Sequence, residues 1–424
     1  MDKRVFRNLP MSLSGKRIDT IPRVSSSIIA LLLLAFLVSQ AITALPVSSQ
    51  AASLPGLSVA RDGTLLRNGA PYRAVGVNYT DAFLRALGHP GDEFYRDDFS
   101  KLAANHIPFA RFAACGFFPR DYQLYLQDKE KYFKLLDGVV HAAEESNVGL
   151  IADLFWTTYA VPDLVGEPRD QWGNAQTKTR QFMRTYTREV VSRYADSPAI
   201  WGWEFGNEYN NALDVPDAMR HLPPVNPRLG TPMSRGPHDV LTSEIFTSAL
   251  LDFARTVRAI DGNRILLTGN ACTRPGAYHM LTKRRYGGDS FEQFATMLLR
   301  QNPGPFNPVC IHVAPTTVSP YFPRRPVSYN ELIQICASAA RSASKSLYIE
   351  EFITCRPKTE CSIATRRENV SEVLAAIQAN NVPLASVWVY ERKQLHDPNS
   401  LSFDDDTASV LRMIGDFNRK WSLR

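Results

Sequence analysis

From residue 55 onward the chain alternates between short apolar runs and longer segments whose apolar residues recur every three to four positions. The runs cover 74–78, 109–113, 148–156, 200–208, 264–270, 308–314, 346–352 and 385–391. They are rich in Val, Ile, Phe and Trp and largely uncharged, as strands covered on both faces should be. Between them, Tyr132, Leu135, Leu136, Val139, Val140 and Ala143 keep helical spacing, as do Phe182, Tyr186, Val190 and Tyr194. The pattern predicts further helices near 94–105, 243–259, 290–301, 328–344, 364–380 and 407–420. Eight strands alternating with eight helices predict a (β/α)8 TIM barrel within 55–424. An open doubly wound sheet shares the alternation but does not require the eightfold count. No Gly-x-Gly-x-x-Gly follows the first run, so no nucleotide cofactor is expected.

One segment breaks the rhythm. Residues 210–241 carry Pro216, Pro223, Pro224, Pro227, Pro232 and Pro237, which block continuation of helix or sheet. A connection this long in a compact domain is usually functional or disordered. It follows the fourth run directly and is read as a cleft wall, the alternative being a loose surface loop.

Charge changes the picture little. The formal net charge is +6, but the first 44 residues hold six basic side chains and two acidic ones, and without them the remainder is +2. A near-neutral body gives no electrostatic case for nucleic acid. Residues 1–44 read as a signal peptide or membrane anchor with a basic leader, 45–54 as a linker. The apolar stretch 28–38 has signal-peptide length and small residues follow it, giving a secreted protein if cleaved after Ala41 or Ala44. The 23-residue leader keeps an uncleaved anchor as the rival, and membrane attachment is expected only in that case.

An even count of six cysteines in an exported chain permits disulfides. Cys355 and Cys361 are near in sequence and are expected to pair. Cys115 and Cys310, in or beside strands, read as buried thiols. No Cys-x-x-Cys or His cluster has metal-site spacing, so neither a metal nor another cofactor is expected.

Two acidic clusters end apolar runs: Trp201-Gly202-Trp203-Glu204-Phe205-Gly206-Asn207-Glu208 on the fourth and Leu347-Tyr348-Ile349-Glu350-Glu351-Phe352 on the seventh. Carboxylates ending barrel strands project into the mouth. Two of them about 5 Å apart suit double-displacement glycoside hydrolysis. A strand-end Glu that merely pairs with an Arg is the plain alternative. Strand alternation places Glu350 and Glu351 on opposite sides. Glu204, four residues below Glu208, faces the interior as a structural group.

These residues resemble glycoside hydrolase family 5. The run from Arg193 through Ala195-Asp196-Ser197-Pro198 to Gly206-Asn207-Glu208 is similar to that family's fourth-strand signature. Its Gly-Glu-Phe motif falls on Glu350-Glu351-Phe352, and Gly63, Gly69-x-Pro71 and Gly76-x-Asn78 look like its opening. The resemblance implies a retaining β-glycosidase acting on a β-linked glycan, a β-glucan or β-mannan, with Glu208 as acid/base and Glu351 as nucleophile. It implies sugar-binding or positioning roles for Arg111, Asn207, His312 and Trp388. Trp388 offers a flat face that Trp156, Trp172 and Phe117 extend. Glu208, as the acid, is expected to have a pKa raised by the Glu351 charge.

Two positions depart from the family. Its third-strand His appears as Phe155, and the Tyr two residues after its sixth-strand His appears as Ala314, with Tyr321 and Tyr390 as other sources of a phenol. The departures keep a binding barrel with impaired catalysis as an alternative; transglycosylation with the same site is another. A barrel enzyme for phosphorylated metabolites fits poorly, because no glycine occurs from Phe352 to Ile414.

Overall fold

The computed structural model describes residues 55–314, 327–355, 361–392 and 397–421. The chain begins with a small antiparallel sheet, β1 (Leu57–Val59), β2 (Leu65–Arg67) and β3 (Ala70–Pro71). The eight barrel strands follow: β4 (Ala74–Asn78), β5 (Phe109–Ala113), β6 (Gly149–Phe155), β7 (Ile200–Gly206), β8 (Ile265–Leu267), β9 (Val309–Val313), β10 (Leu347–Ile353) and β11 (Leu384–Trp388). They are parallel, in the order β8-β7-β6-β5-β4-β11-β10-β9. The ring is nearly closed: β8 and β9 share no ladder, but a bridge between Leu266 and Asn307 spans the seam. The (β/α)8 expectation is met, and the predicted runs and helices agree with the observed elements to within a few residues.

The helices form where side chains satisfy their open ends. Asp128, Thr177, Thr242, Ser290, Ser328 and Ser362 each accept a hydrogen bond from a first-turn backbone N–H. Each helix buries its apolar stripe on the outer barrel wall, and these residues join one large core.

Inside the barrel the lower half is apolar. Phe109, Ile151, Trp201, Ile265, Leu267, Tyr348 and Leu384 pack there with Leu57 and Leu65 of the opening hairpin, which seals that end. Among the described residues no helix is long and apolar enough to cross a membrane. The leader and linker expectations for 1–54 fall outside the described residues, as does Tyr321.

Candidate active site

Above the apolar floor the barrel interior turns ionic. Arg111 of β5, Asp153 of β6, Glu204 of β7 and Glu350 of β10 are fully buried there. Burying charge is costly unless it is paired, so the pairing decides what the layer can do. Arg111 uses all five of its N–H donors. Nε donates to Glu204 at 2.9 Å and Nη2 to Glu204 at 2.5 Å. Nη2 also reaches Asn207 Oδ1 at 2.8 Å, while Nη1 serves Asn78 Oδ1 at 3.0 Å and Glu351 Oε1 at 2.7 Å. Glu204 thus faces inward and anchors the guanidinium. Asp153 lies 3.8 Å from Arg111. Burial and then the charge of Glu204 push its pKa well up.

Glu208 and Glu351 rise from this layer at the mouth. Glu208 stands two residues past β7 with φ 54°, a left-handed backbone, and its N–H donates to Gly269 O at 2.7 Å. Gly269 itself has φ 67°, and a Cβ there would overlap the Gly206 carbonyl, so only glycine lets this strand end come so close. His312 of β9 joins the two acids. Its Nδ1 is 3.0 Å from Glu208 Oε1 and 3.4 Å from Glu351 Oε2. Ligand-type atoms of Glu208, His312 and Glu351 lie within 4.8 Å of one another.

The electrostatics differ from expectation. Burial works to raise Glu208, but the hydrogen bond and charge of His312, with Arg111, outweigh it and hold its carboxyl below the usual value. Burial pushes Glu351 up despite His312 and Arg111. The expected raised Glu208 is therefore corrected: the cation beside it counts for more than Glu351. Desolvation alone would lower His312, yet Glu351, Glu208 and Glu350 together raise it to about 10. An imidazolium has no free lone pair, so with the ring protonated the trio reads as an ion-paired acid cluster.

A second correction concerns Glu350. Alternation would turn it away from Glu351 toward the helices. In the ladder with β9, however, Ile349 pairs with Ile311 and Glu351 with His312, so Glu350 is the extra residue of a β-bulge. Its side chain swings inward, with Oε2 3.5 Å from His312 Nε2. A carboxylate in a run covered on both faces was the signal: facing the apolar helix layer would have left it no partner.

The aromatic expectations divide. Trp388 is half-buried, its Nε1 donating to Asp397 at 3.0 Å. Its ring stacks on Trp156 with centroids 6.3 Å apart, and Trp156 stacks on Phe117 at 5.1 Å. The Arg111 guanidinium lies 4.8 Å from the Trp156 centroid, which sets that ring over the ionic layer. Trp172 does not join them: it is buried against Phe155, Phe205 and Tyr209, its N–H bonded to Thr158 O. Phe155 packs outward on Tyr186 and Phe253, so its neighbour Trp156 is the residue of that strand end turned to the mouth. Tyr390 packs on Tyr79 and donates to Asp98 O at 3.4 Å. Its phenol is taken.

The 210–241 segment is pinned. Arg235 forms a bidentate, nearly buried pair with Asp163 at 2.6 and 2.7 Å, and Arg169 donates to Asp239 O at 2.7 Å. Asn210 donates to Ala271 O at 2.8 Å at the other end. Cys355 and Cys361 are joined as a disulfide beyond β10, and Cys115 and Cys310 are buried thiols.

With this geometry in view, the comparisons with known proteins are consistent. A Rhizomucor miehei endo-1,4-beta-mannanase superimposes with TM-score 0.61 over 86% of this chain and 99% of its own, at 14% identity. A family 5 mannosidase from the same organism gives 0.59 over 87% and 99%, also at 14% identity. In fold and in local sequence the chain resembles glycoside hydrolase family 5. A mannan endo-1,4-beta-mannosidase F of Aspergillus clavatus is 37% identical over 79 residues, 17% of this chain and 18% of its own. A mannan endo-1,4-beta-mannosidase A of Hypocrea jecorina is 39% identical over 79 residues, with the same shares. The chain spans about a fifth of the length of the curated relatives it matches. No family model matches.

Proposed function

We propose that this protein is a retaining β-glycosidase in which Glu351 attacks the anomeric carbon and Glu208 handles the proton. The observation that carries the reading is the placement of these carboxylates at the ends of β10 and β7, with ligand-type oxygens within 4.8 Å across the mouth. That is the close separation of double displacement, since an inverting pair stands roughly 6.5–9.5 Å apart to admit a water. Arg111 orients Glu351 through Oε1. Asn207, its carbonyl oxygen held by Arg111, keeps its amide N–H groups free to bond a sugar hydroxyl. Trp388 supplies a flat face for a pyranose ring, with the buried Trp156 stacked against it. Retention of this whole set speaks against a barrel with impaired catalysis.

The substrate we infer is a β-1,4-mannan or a related β-glucan, because the named relatives are mannanases and mannosidases. We further propose that residues 1–44 direct export. N-terminal sequencing of the external form tests that: a start after Ala41 or Ala44 supports it, and an intact Met1 on a membrane-bound form favours an anchor. The central test is turnover of a polysaccharide panel with the anomeric configuration of the products read by NMR, and labelling by a mechanism-based fluorosugar. Retained configuration and label on Glu351 are expected. Inverted product, or label on the adjacent inward-facing Glu350, would show the roles to be misassigned. The ratio of hydrolysis to transfer products settles which acceptor the intermediate meets.

A further inference from the structure

Glu350 is an inward carboxylate whose presence the proposed chemistry does not require. It stands where the family's Gly-Glu-Phe motif has glycine, and neither of its side-chain oxygens has a hydrogen-bond partner. Such a group is costly to bury without a task. Its nearest cation is the His312 ring, whose Nε2 likewise lacks a hydrogen bond and lies 3.5 Å away. The opposite nitrogen, Nδ1, faces Glu208 and Glu351. The ring is thus gripped between carboxylates on both sides.

We propose that Glu350 is a positioning residue that holds His312 as an imidazolium with Nδ1–H aimed at Glu208, making His312 the resting store of the proton that Glu208 delivers. This rests on the glycosidase reading above. In the first step the C1–O bond breaks as the Glu351 oxygen bonds to C1. The proton passes from Nδ1 to Glu208 and from Glu208 to the departing oxygen. Ester formation consumes the Glu351 charge, one of the anions that hold the imidazolium, so the ring loosens its proton when the leaving group needs it. Attack of water on the ester returns a proton through Glu208 to Nδ1 and regenerates the Glu351 carboxylate. Glu350 keeps its place throughout and draws the proton back.

The charged and titratable surroundings of this line are few. Glu208 beyond β7 and Glu351 on β10 face Nδ1, and the Arg111 charge of β5 acts both on Glu351 and on Glu350 itself. Glu204 of β7 and the buried Cys310 thiol of β9 face Glu350. Burial and then Glu204 push Glu350 up to about 7, so its charge, and its hold on the ring, grow through neutral pH.

The test replaces Glu350 by Gln and reads two quantities in the full chain. NMR titration of the His312 ring nitrogens should show its pKa falling by about one unit or more, the effect of removing a facing charge. The alkaline limb of kcat/KM for a substrate with a poor leaving group should move to lower pH by a similar amount. A uniform drop in rate with an unmoved limb would leave Glu350 merely structural, and an unmoved His312 pKa would overturn the proposal outright. If the Gln variant does not fold, Glu350→Asp, which withdraws the charge by one methylene, should give smaller shifts in the same direction; none would count equally against it. Lack of turnover by the unaltered protein would instead sink the glycosidase reading, with the NMR arm still reporting the Glu350–His312 link.

Discussion

Glu351 sits inside β10, 7% exposed, bonded to a guanidinium that is itself locked by Glu204, Asn78 and Asn207. Glu208 sits beyond the end of β7 on a left-handed backbone, its side chain 42% exposed, with His312 as its charged partner. The first is fixed by a network built into three strands, the second by its own backbone and one ring. An attacking group gains from being fixed at one oxygen position, whereas a proton carrier must meet a leaving oxygen and later a water. The difference in anchoring matches the proposed difference in task.

Removing each group should therefore fail differently. Glu351→Ala should lower turnover of every substrate by about 10^5-fold or more, because no intermediate can form. Added azide should restore turnover with inverted product, and a variant that keeps a retained product would end the assignment. Glu208→Ala should cost about 10^2–10^4-fold for poor leaving groups. An activated aryl glycoside should still form an intermediate, visible by mass spectrometry as it accumulates. Equal loss for both leaving-group classes would argue against a proton-carrying role.

A smaller change tests the anchoring itself. Arg111→Lys keeps the charge but cannot reproduce the five-donor fork. Each buried acceptor it strands costs roughly 1–3 kcal/mol, so the melting temperature should fall and Glu351-dependent rates with it. A fully stable, fully active lysine variant would show that charge alone holds Glu351.

The mildest contrast is in stability against pH. Glu208 is held below its ordinary pKa, so its contribution is present above the unfolded value and lost as pH falls through the folded one. Glu351 is held above its ordinary pKa, so its contribution is present below the unfolded value and lost as pH rises through the folded one. Thermal melts across pH should thus flatten on the acid side in Glu208→Gln and toward higher pH in Glu351→Gln. Slopes that change in the same sense would contradict the opposed environments.

Much of this was legible in the residue pattern, for physical reasons that also explain what was not. Strands covered by helices must be apolar on both faces, so the eight runs stand out, and the caps and apolar stripes mark the helices. The charged ends of the fourth and seventh runs were visible for the same reason. Hidden were local departures from regular geometry. The bulge at Glu350 breaks the two-residue period on which the side of a strand residue is judged. The left-handed turn at Glu208 depends on Gly269, far away in sequence. Phe155, which stands where the family has its third-strand His, packs outward, and the neighbouring Trp156 is the residue turned to the mouth. The opening hairpin was missed because its three strands are only two or three residues long. Its task becomes apparent only when the barrel floor it seals is present.

The stacked rings of Trp156 and Trp388 have an optical consequence. Two stacked indoles with centroids 6.3 Å apart and planes inclined by 25° are close enough for their transitions to couple, and the Arg392 guanidinium lies 5.0 Å from the Trp388 centroid. Of the six tryptophans, Trp172, Trp201 and Trp203 are sealed in the core and should respond little to a ligand. A sugar that covers the exposed part of Trp388 would alter both the coupled near-ultraviolet circular dichroism and the emission maximum. On the proposed reading the two rings would serve as a binding gauge, readable in a Glu351→Ala variant, where occupancy can be followed without consuming the glycan.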